Sequence, residues 1–362
     1  MITKPTLILD EEKCRKNISM MCEKARRHGL DFRPHFKTHQ SLGIGRWFKE
    51  QGVNKITVSS LKMANYFAED WDDITVAFPA NILEIDAINS LAESVNLNLL
   101  VESVETASFL NGHLSQKIGA FIKIDVGYHR TGVDPEDSEL IDAILKEIEN
   151  GELISFKGFL THAGHSYDVR SIEEVLEIHD TSLKIMAELR SRYGEKYPDL
   201  IISIGDTPTC SLAEDFSGVD EIRPGNFVFY DLTQVCIGAC DLDQVAVAML
   251  CPVVAIHRER NELVIYGGGV HFSKDRLEDE KGRTIFGRIV EKNGDAWGRE
   301  IPGMHVKSLS QEHGVITVPA EKISKYGIGD ELFIIPVHSC MTADLTNSYL
   351  TSAGKNISRL YL

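Results

Sequence analysis

The sequence contains no Cys-x-x-Cys pair. Its seven cysteines (Cys14, Cys22, Cys210, Cys236, Cys240, Cys251 and Cys340) are scattered and odd in number. That leaves no disulfide framework and reads as reduced thiols in a cytoplasm. Long apolar runs are missing too. Nothing approaches the ~18 consecutive apolar residues of a membrane helix. Leu7-Ile8-Leu9 runs at once into Asp10, Glu11 and Glu12, too short a stretch for a signal sequence. Positive charge is scarce: 38 basic residues face 54 acidic ones, a formal charge of -16. A field of that sign repels nucleic acid and anionic membranes but not a small zwitterion. No Walker-type phosphate loop occurs. An anionic ligand would need a local site, such as a helix N-terminus.

What is present is a regular beat. A chain of 362 residues exceeds the roughly 250–300 at which one core stops growing, so two domains are expected. Short β-rich runs fall near residues 31–35, 55–59, 74–78, 97–101, 120–126, 156–161, 200–204 and 220–224. Segments of helical spacing lie between them, at 11–29, 82–95, 104–114, 135–150 and 171–193. Eight strands, each followed by a helix, predict an α/β architecture: an N-terminal (β/α)8 TIM-type barrel over residues 10–235. A doubly wound sheet would need a glycine-rich fingerprint after the first strand, where the chain has Arg33-Pro34-His35-Phe36-Lys37-Thr38-His39. Beyond residue 235 the runs become short and β-branched, with turn residues between them. Residues 236–362 read as a C-terminal mostly-β domain, to which residues 1–9 could add a strand.

In such a barrel chemistry gathers at the C-terminal ends of the strands. Lys37 follows the first strand between His35 and His39, close to Arg33. Cationic crowding there would depress its pKa and leave a nucleophilic amine. Arg130, in Asp125-Val126-Gly127-Tyr128-His129-Arg130, could bond a ring oxygen or a carboxylate, or simply pair with Asp134. His162 could lay its ring on a cofactor, and Tyr167 belongs to the same strand end. Gly205 and Thr207, then Gly225 and Asn226, form two adjacent loops after strands seven and eight, the usual phosphate position. His338 and Cys340 point to one side of a segment read as extended, and both are good ligands for zinc.

These segments, in this order, resemble the alanine-racemase-like (fold type III) pyridoxal-phosphate enzymes, and most of all the D-threonine aldolase and D-serine dehydratase group. The resemblance implies pyridoxal 5'-phosphate bonded to Lys37, its phosphate held at Gly205–Thr209 and Gly225–Asn226, and Arg130 near its ring. It also implies a divalent metal at His338 and Cys340, zinc first, with manganese or magnesium as alternatives. Members are typically homodimers, closing the site between the barrel of one subunit and the β domain of the other. The expected activity is lysis of a small D-3-hydroxy amino acid: β-elimination in the D-serine dehydratase manner, with retro-aldol cleavage and racemisation as alternatives. His-Ser-Cys is closer to the dehydratase branch than the His-x-Asp pair of the aldolases.

Overall fold

The computed structural model describes residues 2–360. Two compact units emerge. One is Met20–Gly225; the other combines the segment up to Ser19 with the segment from Asn226 onward. The strands, in chain order, are β1 (Thr6–Leu9), β2 (Asp31–Phe32), β3 (Ile56–Val58), β4 (Asp73–Pro79), β5 (Asn96–Val101), β6 (Ile118–Ile124), β7 (Ile154–Thr161), β8 (Ile201–Ile204) and β9 (Glu221–Ile222), then β10 (Val247–His257), β11 (Glu262–Tyr266), β12 (Leu277–Glu278), β13 (Thr284–Ile285), β14 (Gly287–Asn293), β15 (Ala296–Leu309), β16 (His313–Thr317), β17 (Glu331–Pro336), β18 (Ser348–Thr351) and β19 (Asn356–Ser358).

The unit Met20–Gly225 holds the parallel sheet in the order β2-β9-β8-β7-β6-β5-β4-β3. A parallel bridge from His35 to Thr57 joins its two ends. The Phe36 N–H donates to the Thr57 carbonyl at 2.8 Å and the Thr57 N–H to that of Pro34 at 2.9 Å. Strands such as β6, buried at every position, are the near-continuous apolar runs of a sheet covered on both faces. The helices begin where the sequence supplies a cap. Ser41, Ser60, Ser103 and Ser171 each accept an N–H of the first turn, worth about 1 kcal/mol apiece. This is the barrel that the alternation predicts.

The other unit is mostly strand. Its nine-stranded sheet runs β11-β16-β15-β14-β17-β10-β1-β18-β19, and a further β10–β11 pairing closes the first six strands on themselves. β1 is antiparallel to β10 over Thr6–Leu9 and parallel to β18. The long hairpin of β14 and β15 carries two register shifts, so neither strand shows clean alternation.

Candidate active site

Lys37 sits in the turn that follows the His35–Thr57 bridge and is half-buried. His35 Nδ1 accepts the Lys37 backbone N–H at 3.3 Å. Two expectations about its neighbours are corrected. Arg33 does not crowd the amine: it is buried and ion-paired with Glu221 at 2.7 Å and Asp73 at 2.5 Å. His39 belongs to an aromatic core, 4.4 Å from the Phe36 ring and stacked on Phe48 at 5.8 Å, because its ring is fully buried among apolar side chains. Burial, and then the Lys37 charge, hold His35 well below the usual histidine pKa. Burial and Lys37 do the same to His162. Burial therefore leaves His35 and His162 as neutral imidazoles.

His162 is fixed by a 2.6 Å bond from Nδ1 to the Gly205 carbonyl. A carbonyl only accepts, so the proton is on Nδ1 and Nε2 is bare. Tyr167 offers its hydroxyl to the Thr207 N–H at 3.1 Å. Asp206, not a phosphate, caps the helix Thr207–Leu212 through the N–H and hydroxyl of Thr209 (2.9 and 2.8 Å) and takes the Ser166 hydroxyl as well. Gly205 and Gly225 are glycines because strand ends close on them. A Cβ would lie 2.7 Å from Arg223 N in the first and 2.8 Å from the His35 carbonyl in the second.

Arg130 lies over the Tyr128 ring at 4.8 Å. Among the described residues no carboxylate pairs with it, so the Asp134 alternative is not realised. Its loop is tied by Asp125, which accepts the N–H groups of Gly127 and His129 and the His129 ring. Burial opposes the Asp125 charge, yet these donors keep its pKa below the ordinary value. Tyr128 rests against Gly164, where a Cβ would come within 2.3 Å of the ring.

These features fit pyridoxal phosphate. A half-buried lysine, a neutral histidine with a fixed ring and an unpaired guanidinium belong to one strand-end surface. Gly225 and Asn226 are buried, and among the described residues their backbone N–H groups meet no acceptor. Buried donors of that kind suit phosphate oxygens. The neutral Tyr167 hydroxyl on Thr207 is an acceptor that an anionic oxygen outcompetes.

His338 and Cys340 belong to the other unit. The segment is not extended. His338 is the cap of the helix Ser339–Asp344, so Cys340 lies in its first turn. Asp231 forces this by accepting the Ser339 N–H at 2.9 Å and its hydroxyl at 3.2 Å. The two side chains still meet, since a hydrogen bond joins them. Asp275 Oδ2 lies 3.1 Å from His338 Nδ1. Burial works against a charge on His338, but the bonds to Asp275 and Cys340 win and raise its pKa to about 11. Among the described residues no three metal-ligating side chains gather, so this pair by itself would offer a metal no more than two ligands.

Sequence reasoning missed four residues. Asp275 has no local signature. Asp231 is a capping residue indistinguishable by pattern from the others. Arg223 precedes the Gly225–Asn226 loop; it is buried, donates to Ser203 Oγ at 2.7 Å and to the Thr161 carbonyl, and burial pushes its pKa down to about 10. Lys123 is buried, donates to the carbonyl and hydroxyl of Thr131, and burial pushes its pKa down to about 8.

Comparison with known proteins agrees with this geometry. Residues 9–232 match the family model "Alanine racemase, N-terminal domain" and residues 246–352 the "Putative serine dehydratase domain". D-serine dehydratase of Dictyostelium discoideum is 32% identical, over 95% of this chain and 92% of its own. D-threo-3-hydroxyaspartate dehydratase of Delftia sp. (strain HT23) is 30% identical, over 97% of this chain and 94% of its own. The solved structure of the Delftia enzyme superposes with a TM-score of 0.92 at 27% identity, covering 100% and 98% of the two chains. Another structure is of its cysteine-to-alanine variant in the metal-free form, with a TM-score of 0.90, 27% identity and the same coverage. The chain belongs to the alanine-racemase-like pyridoxal-phosphate enzymes. Within them it is a pyridoxal-phosphate-dependent lyase of the D-serine dehydratase and D-threonine aldolase group.

Proposed function

We propose that the enzyme removes water from D-serine, or a D-3-hydroxy amino acid of similar size, to give a 2-oxo acid and ammonia, and that it needs a divalent metal, zinc first. The observation that carries this is the meeting of His338 and Cys340 beside Asp275. A racemase has no use for such a pair.

Bound pyridoxal phosphate supplies an electron sink for charge left on the substrate α-carbon. Lys37 Nζ would hold the cofactor and would be the base for the substrate α-proton. His162 keeps its ring in one orientation through the Gly205 carbonyl, and its lowered pKa leaves Nε2 a weak base. Arg130 supplies the guanidinium for an anionic oxygen of the cofactor or substrate. Gly225, Asn226 and Thr207 offer N–H groups to the phosphate, with Gly205 setting the loop and Tyr167 the alternative partner of Thr207. His338 and Cys340 would hold the metal, which acts as a Lewis acid on the β-hydroxyl. Asp275 fixes the His338 ring, the usual support of a metal-bound histidine.

All seven cysteines are free thiols, which supports a reducing, cytoplasmic location; among the described residues no helix is long and apolar enough to cross a membrane. We also propose a homodimer. Val270 and Met341 on the two short helices Gly269–Phe272 and Ser339–Asp344, and Leu345 just after the second, are exposed apolar side chains, surface that a second copy would cover. Sedimentation at low concentration tests it, and an active monomer refutes it.

The deciding assay is product analysis from D-serine, with and without chelator. Ammonia and a 2-oxo acid should form, cease with chelator and return with zinc. Glycine plus an aldehyde from D-threonine as the faster reaction would make it an aldolase. Full turnover of metal-free enzyme would remove the metal role, and interconversion of D- and L-alanine would favour a racemase.

A further inference from the structure

The metal pair has a polar support that the cofactor chemistry does not use. Asn226 is 3% exposed. Its side-chain nitrogen lies 2.7 Å from Asp231 Oδ2, 3.1 Å from Ser339 Oγ and 3.4 Å from Cys340 Sγ. Chemistry fixes the orientation of the amide. Turned over, Oδ1 would face the Asp231 carboxylate, two acceptors in contact. One N–H therefore goes to Asp231, and the other points at Ser339 Oγ and the Cys340 sulfur.

Asp231 is 1% exposed and fully engaged. Oδ1 accepts the Gln234 N–H at 3.1 Å. Oδ2 accepts Asn226, the Ser339 N–H and the Ser339 hydroxyl. One buried carboxylate thus anchors the amide and starts the helix that carries Cys340. An amide bonded to a carboxylate through one N–H is held rigidly, with the other N–H aimed at the sulfur.

We propose that Asn226 is the positioning residue of the metal pair: it donates a hydrogen bond to the Cys340 thiolate and holds the sulfur toward His338, with Asp231 as its anchor. This rests on the reading of His338 and Cys340 as metal ligands. A hydrogen bond to a thiolate withdraws density from sulfur and stabilises its lone pairs. It also lowers the cost of keeping the charge in a half-buried place before a metal arrives. Loss of such an outer partner typically weakens metal affinity about 10–100-fold.

The probe is cobalt(II), added to holoenzyme freed of its metal by chelator. Wild type should show a sulfur-to-cobalt charge-transfer band in the near ultraviolet, absent in Cys340→Ala. Asn226→Leu should move that band to longer wavelength and weaken cobalt binding about 10–100-fold, read by competition with a chromophoric chelator. Asn226→Ser is too short to reach the sulfur and carries the same expectation, should the leucine variant not fold. Ser339→Ala disturbs the same helix start but leaves the amide–sulfur bond, and should keep the band at its wild-type wavelength. Both Asn226 variants with wild-type wavelength and affinity within twofold would overturn the proposal. So would a Ser339→Ala shift as large as theirs, which would mark a general packing effect. A wild-type protein that binds cobalt with no sulfur band would overturn the ligand reading beneath it.

Discussion

Arg33 offers a sharp test of how the barrel is held together. Its guanidinium bridges Glu221 and Asp73 at 2.7 and 2.5 Å, and Arg33 and Glu221 are 3% and 1% exposed. At an effective dielectric near 20, contacts of this length are worth roughly 6–7 kcal/mol each in Coulomb energy. Desolvation of the ions offsets most of that, so the pair itself adds little. Removing only the cation is different. Asp73 is partly exposed and keeps Asn96 and Asn98 as donors at 3.2 and 3.3 Å, but Glu221 is left as a buried charge with Ser203 Oγ at 2.7 Å. Arg33→Met should cost about 3–5 kcal/mol. In Arg33→Met/Glu221→Gln the stranded charge is gone, and the loss should shrink to about 1–3 kcal/mol, the cost of an imperfectly bonded polar group. Urea unfolding followed by tryptophan fluorescence measures this, since Trp47 and Trp71 are buried in the same unit. A single variant that lost under ~1 kcal/mol, or a double variant no better than the single, would refute the account of a stranded Glu221 charge.

Borohydride reduction of the holoenzyme should fix the cofactor on Lys37; peptide mapping that found it on Lys123, the other amine with chemistry on its side because burial lowers its pKa to about 8, would move the catalytic lysine. Gly164→Ala should push the Tyr128 ring from beneath Arg130 and weaken pyridoxal phosphate binding about tenfold, roughly 1.4 kcal/mol, with little loss in thermal midpoint; equilibrium dialysis reads the first and unchanged affinity would sink it. Stability should also fall on acidification. His35 and His162 are held well below the ordinary histidine pKa of about 6.5, so below that pH the unfolded chain binds more protons than the folded one. Their contribution is complete above about pH 6.5 and is lost as pH falls beneath it. Thermal midpoints for wild type and His162→Gln should diverge at neutral pH and converge toward acid, and parallel curves would contradict it.

The barrel was legible because its strands are buried on both faces and its helices start at serines, so burial and capping leave the same marks in any context. The candidate cofactor residues were legible because the barrel rule ranks strand ends. Their electrostatics were not. The sequence places Arg33 and His39 near Lys37, but one turns to two carboxylates from β4 and β9 and the other into a ring of phenylalanines. The two carboxylates lie 40 and 188 residues away in the chain. His338 and Cys340 were found as a pair although the helix they start was not. A helix of six residues is too short for periodicity to register, and the carboxylate that nucleates it is 108 residues away. The hairpin of β14 and β15 escaped because its register shifts break the alternation.

The long wait of β1 has a consequence during synthesis. Leu7, Ile8 and Leu9 are buried only once they pair with β10 and β18, whose partners include Leu250 and Leu350. At roughly 5–20 residues per second, a ribosome needs about 17–68 s to travel from Leu9 to Leu350. For all that time this apolar tripeptide, with open backbone donors, goes unpaired in the nascent chain. The barrel unit, contiguous from Met20 to Gly225, can close meanwhile. A helper that clasps short hydrophobic strands would find its client there, and slowing translation after Gly225 should lengthen its stay.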